Sequence, residues 1–209
     1  MDDGVGVALF RHGLTELNKR KSYMGWTDAP ICEEARIDLM NISFDSSPYK
    51  TVVTSDLKRC LQTSNILFPA HEPISMREFR EMNFGPWEGK TYADLAGDPQ
   101  FENWTGDYTK FKVPGVESFS DFSNRIEAGW KNVSEIISSK DIDKMAIVTH
   151  GGVIRYLLST YASIEKEFWE WKVSHGNGFE LVWASRAAFR RGDRCTLLRE
   201  VLLTENQNG

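Results

Sequence analysis

The chain has little cysteine and no cysteine pairing pattern. Of its 209 residues only Cys32, Cys60 and Cys195 are cysteines, and none belongs to a Cys-x-x-Cys pair. An odd number of widely separated thiols predicts neither a disulfide framework nor a zinc ribbon. We therefore expect reduced thiols and a cytoplasmic protein.

The sequence also lacks the pattern of a leader peptide, the long apolar run of a membrane span and an excess of positive charge. The N-terminal stretch MDDGVG has neither a basic nor an apolar region, and no window approaches the roughly 18 apolar residues that a membrane helix needs. The net charge of −5 provides no general attraction to nucleic acid or to an anionic membrane. We expect a soluble protein that binds neither.

Arginines near the C-terminus form the one basic concentration. They are Arg186, Arg190, Arg191, Arg194 and Arg199. The simplest interpretation is a solvated turn that connects two strands, and these strands are predicted at roughly residues 179–184 and 195–203. The alternative is an arginine-rich rim that helps to hold an acidic substrate.

Short β-branched runs alternate with segments of helical spacing. The runs at residues 5–10, 51–54 and 145–149 are typical of buried strands. Helices are predicted after the second run, capped by Ser55 or Asp56, after the third run at residues 151–161, and from about Ser118 onward. This alternation predicts an α/β fold, a three-layer αβα sandwich around a mostly parallel sheet, in a single domain over residues 1–209.

The helical and strand patterns weaken between about residues 88 and 115. This span contains glycine, proline and aromatic residues without a clear period, which indicates an irregular lid or insertion. Its charged residues from Gly89 to Gly115 are Lys90, Lys110 and Lys112 against Asp94, Asp98, Glu102 and Asp107. Such a span is a poor host for a strongly anionic substrate and suits an ester with an apolar body.

Two histidines occupy equivalent places in the pattern. His12, in LFRHG, and His150, in IVTHGG, each follow an apolar strand and precede a glycine and a helical segment. The carboxyl ends of parallel strands form the ligand crevice of an open α/β sheet, so the two imidazoles are expected to face each other. Free N–H groups at the start of the next helix suit an anion. His175, in SHGNG, is interpreted as a turn residue, with a substrate contact as the alternative.

Five motifs occur in a recognisable order. RHGLTELN, SDLKRCLQT, FREMNFGPWEG, PGVESFSDFSNRI and VTHGGVIRYLL resemble the motifs of the histidine phosphatase superfamily, whose branches include phosphoglycerate mutases and α-ribazole phosphatases. The resemblance implies that His12 is a nucleophile that accepts a phosphoryl group. It also implies that Arg11 and Arg59 clamp the phosphate oxygens, as planar bidentate donors do.

The resemblance assigns further residues to the same site. Asn18 matches a polar residue that contacts the phosphate, and Thr15 is either a second such contact or a helix N-cap. His150 is implied as a donor to the transferring group, with Gly151 allowing close approach. The motif FREMNFGPWEG places the general acid on Glu81. Residue chemistry alone leaves Glu78 and Glu88 as competitors.

We therefore expect a phosphomonoesterase that acts through a phosphohistidine on a small phosphorylated metabolite, with α-ribazole 5′-phosphate as one candidate. Neither a metal nor an organic cofactor is expected. The partner is a small-molecule phosphomonoester, and a homodimer is left open. The alternatives are a phosphoglycerate mutase, which moves the phosphoryl group between hydroxyls, and a phosphate-binding module without turnover.

Overall fold

The structure is a computed structural model that describes residues 4–201 and 203. Leu202, which belongs to the second predicted C-terminal strand, and residues 1–3 of the N-terminal stretch lie outside the described residues. Within the described part, six strands form one sheet: β1 (Val5–Arg11), β2 (Thr51–Thr54), β3 (Ile74–Ser75), β4 (Lys144–Thr149), β5 (Gly178–Trp183) and β6 (Leu197–Val201). The three strands predicted before residue 150 are confirmed.

The helices lie between these strands. In chain order they are α1 (Glu16–Lys19), α2 (Glu33–Asn41), α3 (Lys58–Leu67), α4 (Tyr92–Leu95), α5 (Pro99–Gly106), α6 (Phe119–Ser139), α7 (Gly151–Tyr161) and α8 (Arg186–Arg191). Single 3₁₀ turns occur at Arg77–Phe79, Gly85–Trp87 and Phe168–Glu170. None of the helices in the described residues has both the length and the apolar character needed to cross a bilayer.

The strand order in the sheet is β3-β2-β4-β1-β5-β6. The first four strands run parallel, whereas β5 is antiparallel to both β1 and β6. The expected mostly parallel sheet is therefore confirmed, with an antiparallel extension at one edge. This extension brings the beginning of β5 to the same sheet end as the carboxyl terminus of β1.

The sheet buries both of its faces. Val7 and Leu9 of β1 pack in one apolar cluster with side chains of α6 and α7. The alternate residues Ala8 and Phe10 pack in a second cluster with side chains of α2 and α3. Because side chains alternate across a strand, the two clusters lie on opposite faces of the sheet. The predicted three-layer arrangement is confirmed.

Helix α3 begins later than the sequence suggested. Its N-cap is Leu57, whose side chain has no polar atom and makes no cap. The two predicted caps, Ser55 and Asp56, have other partners. The Ser55 hydroxyl lies 3.0 Å from Nε2 of His150, and the Asp56 carboxylate forms a bidentate pair with Arg80. The long helix α6 begins as expected, after its N-cap Ser118.

The lid region holds more regular structure than its sequence pattern indicated. It contains α4, capped by Thr91, and α5, capped by Asp98 with proline at its first position. These caps satisfy the N–H groups of helices that are too short to show a hydrophobic period. The expectation of a wholly irregular segment was therefore wrong for residues 92–95 and 99–106.

The arginine-rich connection is a helix and not a simple turn. Ser185 caps the start of α8, and Gly192 ends it in the left-handed conformation, with φ of 75°. Guanidinium groups of Arg186 and Arg194 donate to the carbonyls of Ile142 and Ala162. These arginines fasten the C-terminal part of the chain to neighbouring elements.

Candidate active site

The two strand-end histidines meet at the edge of the sheet. Strands β1 and β4 are parallel neighbours with Arg11 opposite Thr149. His12 and His150 are the next residues of each strand, and their ring centroids lie 5.2 Å apart. The expectation that the imidazoles face each other is confirmed.

A third imidazole joins this pair. The ring centroid of His175 lies 5.2 Å from that of His12, and its Nδ1 lies 3.2 Å from the His12 carbonyl oxygen. His175 reaches this position because β5 is antiparallel to β1 and starts at the same end of the sheet. The sequence analysis did not predict this contact with His12, since the direction of β5 was not predicted.

The surroundings of His12 keep its imidazole neutral. Its side chain is buried, and burial, followed by the charge of Arg59 and the neighbouring imidazoles, holds its pKa well below the usual value of 6.5. Nδ1 lies 2.7 Å from the carbonyl oxygen of Gly13. This contact requires a proton on Nδ1, so the lone pair of the neutral ring is on Nε2.

Two arginines lie beside the histidines, and some of their guanidinium N–H groups remain available to a ligand. The guanidinium of Arg11 donates to the Val173 carbonyl through Nη1, and its buried Nε has no partner among the described residues. Arg59 is fully buried and donates to the carbonyls of Gly25 and Thr27. Burial lowers the pKa of Arg11 to about 10 and also lowers the pKa of Arg59. Both remain cations at neutral pH.

His150 is more constrained than His12. Its Nδ1 lies 3.3 Å from Nε of Arg59 and its Nε2 lies 3.0 Å from the Ser55 hydroxyl. Nδ1 is therefore the acceptor and Nε2–H the donor. The Cys60 sulfur is 3.4 Å from Nε2, and burial raises the pKa of that thiol to about 12. The donor role of His150 toward a ligand stays a prediction.

Asn18 and Thr15 form a capping box at the start of α1. The Thr15 hydroxyl accepts from the backbone N–H of Asn18, and the Asn18 Oδ1 accepts from the backbone N–H of Thr15. Thr15 is fully buried. Of the two interpretations of Thr15, the N-cap is observed, and the cap leaves the Asn18 side-chain NH₂ as the available donor.

The Glu81 side chain also lies at the sheet edge where the histidines meet, although Glu81 belongs to none of the strands. Its Oε2 accepts from the Gly152 N–H at the start of α7 and its Oε1 from the Met82 N–H, both at 2.9 Å. A Cβ on Gly152 would lie 2.2 Å from the Glu81 carboxylate, so this approach requires glycine. Together with Arg11, His12, Arg59, His150 and His175, Glu81 forms what we call the polar cluster.

The two competing glutamates are placed differently. The Glu88 carboxylate accepts from the backbone N–H groups of Trp26, Thr27 and Phe84 and therefore organises a loop. The Glu78 side chain packs at Cβ against Gly129 of α6. Of the three glutamates, Glu81 is the one that lines the cavity described next.

Arg155 is a site residue that the sequence analysis quoted in a motif but did not single out. A Cβ on Gly151 would lie 3.2 Å from both the Arg11 Cζ and the Arg155 Nη1, so this glycine lets two guanidiniums converge. Arg155 follows Gly151 by one helical turn, which places both residues on the same face of α7. That spacing is the signal by which it was recognisable.

A cavity of about 380 Å³ adjoins the polar cluster. Arg11, Asn18, Glu81, Gly152 and Arg155 line it on its polar side. Its other lining residues are mostly aromatic or sulfur-containing: Tyr23, Met24, Met82, Phe84, Trp104, Tyr108, Phe119, Phe122, Phe168 and Trp169, together with Ser22 and Thr105. We call this space the aromatic cavity. The lysines of the lid are not among its lining residues.

Among the described residues, one further group has the geometry of a cation site. Glu16, Cys32 and Glu34 place ligand atoms within 4.8 Å of one another. The ammonium of Lys19 already lies 3.0 Å from Glu16 and 2.8 Å from Glu34. A positive side chain therefore balances these carboxylates, and the group carries no further assignment.

Comparisons with known proteins place the chain in a family of phosphatases and mutases. The family model for the histidine phosphatase superfamily (branch 1) matches residues 7–187. The chain is 25% identical over 175 residues to the adenosylcobalamin/alpha-ribazole phosphatase of Salmonella typhimurium, covering 80% of this chain and 85% of that protein. It is 31% identical over 179 residues to a broad-specificity phosphatase of Saccharomyces cerevisiae, covering 75% and 71% of the two chains.

The fold is also found among solved structures. The alpha-ribazole phosphatase of Shigella flexneri superimposes with a TM-score of 0.78, covering 97% of this chain and 96% of that chain at 22% identity. At this identity the likeness concerns the fold. The comparison thus supports the three-layer arrangement that the strand and helix pattern predicted.

Proposed function

The chain belongs to branch 1 of the histidine phosphatase superfamily, and from this premise we propose that it hydrolyses a small phosphomonoester with an aromatic or apolar alcohol, through a phosphohistidine on His12. The observation that carries the proposal is the tautomer of His12. Nδ1 is held by the Gly13 carbonyl at 2.7 Å, so a neutral, buried Nε2 lone pair stands beside two arginines.

The phosphate oxygens are held by positive charge and N–H donors. Arg11 offers its buried Nε and the remaining guanidinium N–H groups, and Arg59 offers the two that its carbonyl and imidazole contacts leave free. Asn18 adds its side-chain NH₂. These groups neutralise the dianion and orient the phosphorus toward His12.

In the first step the Nε2 lone pair of His12 attacks phosphorus and the bond from phosphorus to the ester oxygen breaks. The leaving oxygen takes a proton from the Glu81 carboxyl group, which lines the cavity where the alcohol lies. His150 stabilises the charge of the transferring group once a phosphate oxygen replaces the Ser55 hydroxyl as the acceptor of its Nε2–H.

In the second step water replaces the alcohol. The Glu81 carboxylate takes a proton from the water, whose oxygen bonds to phosphorus as the bond from Nε2 to phosphorus breaks. Inorganic phosphate leaves and His12 returns to its neutral form. One carboxyl group serves as acid and then as base, so the cycle closes without another proton carrier.

The aromatic cavity supports an alcohol with a flat apolar body. Its side chains offer ring faces and edges, and its charged lining is confined to Arg11, Glu81 and Arg155. α-Ribazole 5′-phosphate, which carries a benzimidazole ring, fits this class. It is our finer candidate, suggested also by the names of the Salmonella and Shigella relatives.

Substrate screening tests the proposal against its alternatives. Purified protein is incubated with 4-nitrophenyl phosphate, α-ribazole 5′-phosphate, and 3-phosphoglycerate with a trace of the bisphosphate, and free phosphate and 2-phosphoglycerate are measured. We expect phosphate from the first two and a rate unchanged by EDTA. Rapid formation of the 2-isomer without free phosphate would establish the mutase, and no turnover of any substrate would establish a phosphate-binding module.

A further inference from the structure

The segment that carries Glu81 begins in a 3₁₀ turn and then continues to residue 83 without a strand or helix. The 3₁₀ turn ends at Phe79 and the next begins at Gly85. We call residues 78–83 the Glu81 segment. Its backbone carbonyls need partners from elsewhere in the chain, and the position of the Glu81 carboxyl group depends on them.

Arg125 of α6 supplies most of these partners. Its Nη1 donates to the carbonyls of Glu78 and Arg80, at 2.8 and 2.9 Å, and its Nη2 donates to the Glu81 carbonyl at 3.2 Å. The remaining N–H groups point to Glu117, with Nη2 at 2.8 Å and Nε at 3.2 Å. All five guanidinium N–H donors therefore have acceptors, and three of the acceptors belong to the Glu81 segment.

Glu117 closes the network from the other side. Its Oε1 accepts from the Asn83 N–H at 2.7 Å while its carboxylate pairs with Arg125. The side chains of Glu117 and Arg125 are only 12% and 16% exposed, so solvent screens this pair weakly. The Arg125–Glu117 ion pair thus forms hydrogen bonds with the backbone of the Glu81 segment at residues 78, 80, 81 and 83.

Two further contacts join the Glu81 segment to α6 and to Trp26. Helix α6 approaches so tightly at Gly129 that a Cβ there would lie 2.8 Å from the Glu78 Cβ. The Trp26 indole N–H donates to the Glu81 carbonyl at 3.0 Å. The Glu81 backbone is consequently fixed from α6 and from the loop after α1, while its carboxylate is fixed at the start of α7.

From this network we propose that Arg125, locked by Glu117, is a positioning residue that sets the Glu81 carboxyl group for proton transfer to the leaving oxygen. The inference rests on the proposed function and extends it to two residues of the motif PGVESFSDFSNRI, to which the reaction as described gives no role. Arg125 is not among the residues that line the aromatic cavity. It acts through the position of the Glu81 carboxyl group in the transfer of a proton to the leaving oxygen.

The test compares two substrates of similar size that differ in their need for a proton. Benzyl phosphate releases a poor leaving group, whereas 4-nitrophenyl phosphate releases a stable anion. In Arg125→Lys, which keeps the charge but not the five-donor geometry, kcat/KM for benzyl phosphate should fall about 10- to 100-fold more than for 4-nitrophenyl phosphate, a part of the usual effect of a general acid. Glu117→Gln should shift the ratio in the same direction.

The ratio of the two rates is independent of the fraction of enzyme that is folded, so partial unfolding does not imitate the result. Tyr156→Phe is the matched control, since it removes a hydrogen bond to Glu127 between α7 and α6 but none to the Glu81 segment. It should leave the ratio at its wild-type value, and inorganic phosphate should inhibit the wild type and Arg125→Lys alike.

A double variant separates positioning from general damage. With Glu81→Gln in place, Arg125→Lys should change the substrate ratio no further. A further change in the double variant, or an equal loss on both substrates in Arg125→Lys alone, would overturn the inference. Failure of the proposed function looks different, since wild-type protein would then release phosphate from neither substrate, or His12→Ala would match the wild type.

Discussion

The polar cluster and the aromatic cavity share a border but are built in opposite ways. The histidines and arginines of the polar cluster are carried largely by the ends of β1 and β4 and by α3, and most of their side-chain nitrogens have a backbone or side-chain partner. The aromatic cavity is formed by lid helix α5 with Tyr108, the beginning of α6 and the 3₁₀ turn Phe168–Glu170, together with residues 22–24, Met82 and Phe84. Trp169 at this turn is 58% exposed.

This difference separates chemistry from selection. Groups that form and break bonds need fixed geometry, which strand ends and helix starts provide. Groups that choose the alcohol need only shape and apolar surface, which loops and short helices supply. Changes in the cavity should therefore alter which ester binds, whereas changes in the polar cluster should abolish the reaction for all esters.

The largest expected effect is that of His12→Ala. The phosphohistidine has no substitute nucleophile, so kcat should fall by about 10⁴-fold or more on every substrate, the scale on which loss of a covalent nucleophile acts in hydrolases. Phosphate release is the measurement. His71→Ala, at the one histidine outside the polar cluster, is the control and should keep the wild-type rate. Substantial turnover by folded His12→Ala would remove His12 from the mechanism.

The second effect distinguishes leaving groups. Glu81→Gln should lower kcat/KM for benzyl phosphate by about 10²–10⁴-fold and for 4-nitrophenyl phosphate far less, because nitrophenolate leaves without a proton. Glu78→Gln is the matched control on the same segment and should change neither value selectively. Equal losses on both substrates in Glu81→Gln would assign Glu81 a structural role only.

The third effect belongs to the aromatic cavity. Trp169→Ala should raise KM for 4-nitrophenyl phosphate about 5- to 30-fold, since it removes apolar contact of about 1–2 kcal/mol with the ring of the alcohol. The value of kcat, and the rate with methyl phosphate, should not change. Tyr92→Ala, at an exposed aromatic of α4 that does not line the cavity, is the control. A loss of kcat in Trp169→Ala would mean that the cavity and the polar cluster are not separable.

The smallest effect concerns stability at acid pH. Burial lowers the pKa of His12 and His150, and it lowers the pKa of His175 to about 3. The unfolded chain protonates these rings below about pH 6.5 while the folded chain does not, so the free energy of unfolding should fall as the pH falls through this range.

Each such ring adds at most about 1.4 kcal/mol per pH unit to the slope of the free energy of unfolding against pH. Urea unfolding between pH 7 and pH 5 measures the slope, and His175→Gln should make it shallower. Inorganic phosphate should also flatten the slope, because a bound anion favours protonated rings beside it. An unchanged slope in His175→Gln would show that this ring is not kept neutral by the fold.

Part of this arrangement follows from local sequence. A β-branched run ending in Arg-His-Gly or Thr-His-Gly-Gly determines a strand, a turn and a helix start, so His12 and His150 were predictable as neighbours. Helices α6 and α7 were predictable from their hydrophobic period. The capping signals at Thr91, Asp98 and Ser185 were also present, but helices of four to eight residues show no period that reveals them.

Other features depend on contacts between distant segments. His175 enters the polar cluster only because β5 pairs antiparallel with β1, a direction that no local pattern encodes. The grip of Arg125 on the Glu81 segment joins α6 to an irregular stretch about 45 residues earlier. The aromatic cavity arises from side-chain packing between the lid, α6 and the Phe168–Glu170 turn, so its shape was beyond the reach of the sequence.

The most direct test of the central claim is a search for the phosphoenzyme in Glu81→Gln. With 4-nitrophenyl phosphate the first step needs no proton, whereas the second step lacks its base, so the intermediate should accumulate. The reaction is quenched in alkali, the protein is digested, and the peptides are analysed by mass spectrometry. The account predicts one acid-labile phosphoryl group on His12. An unmodified His12 throughout turnover, or a phosphoryl group on Ser55 or Cys60, would contradict it.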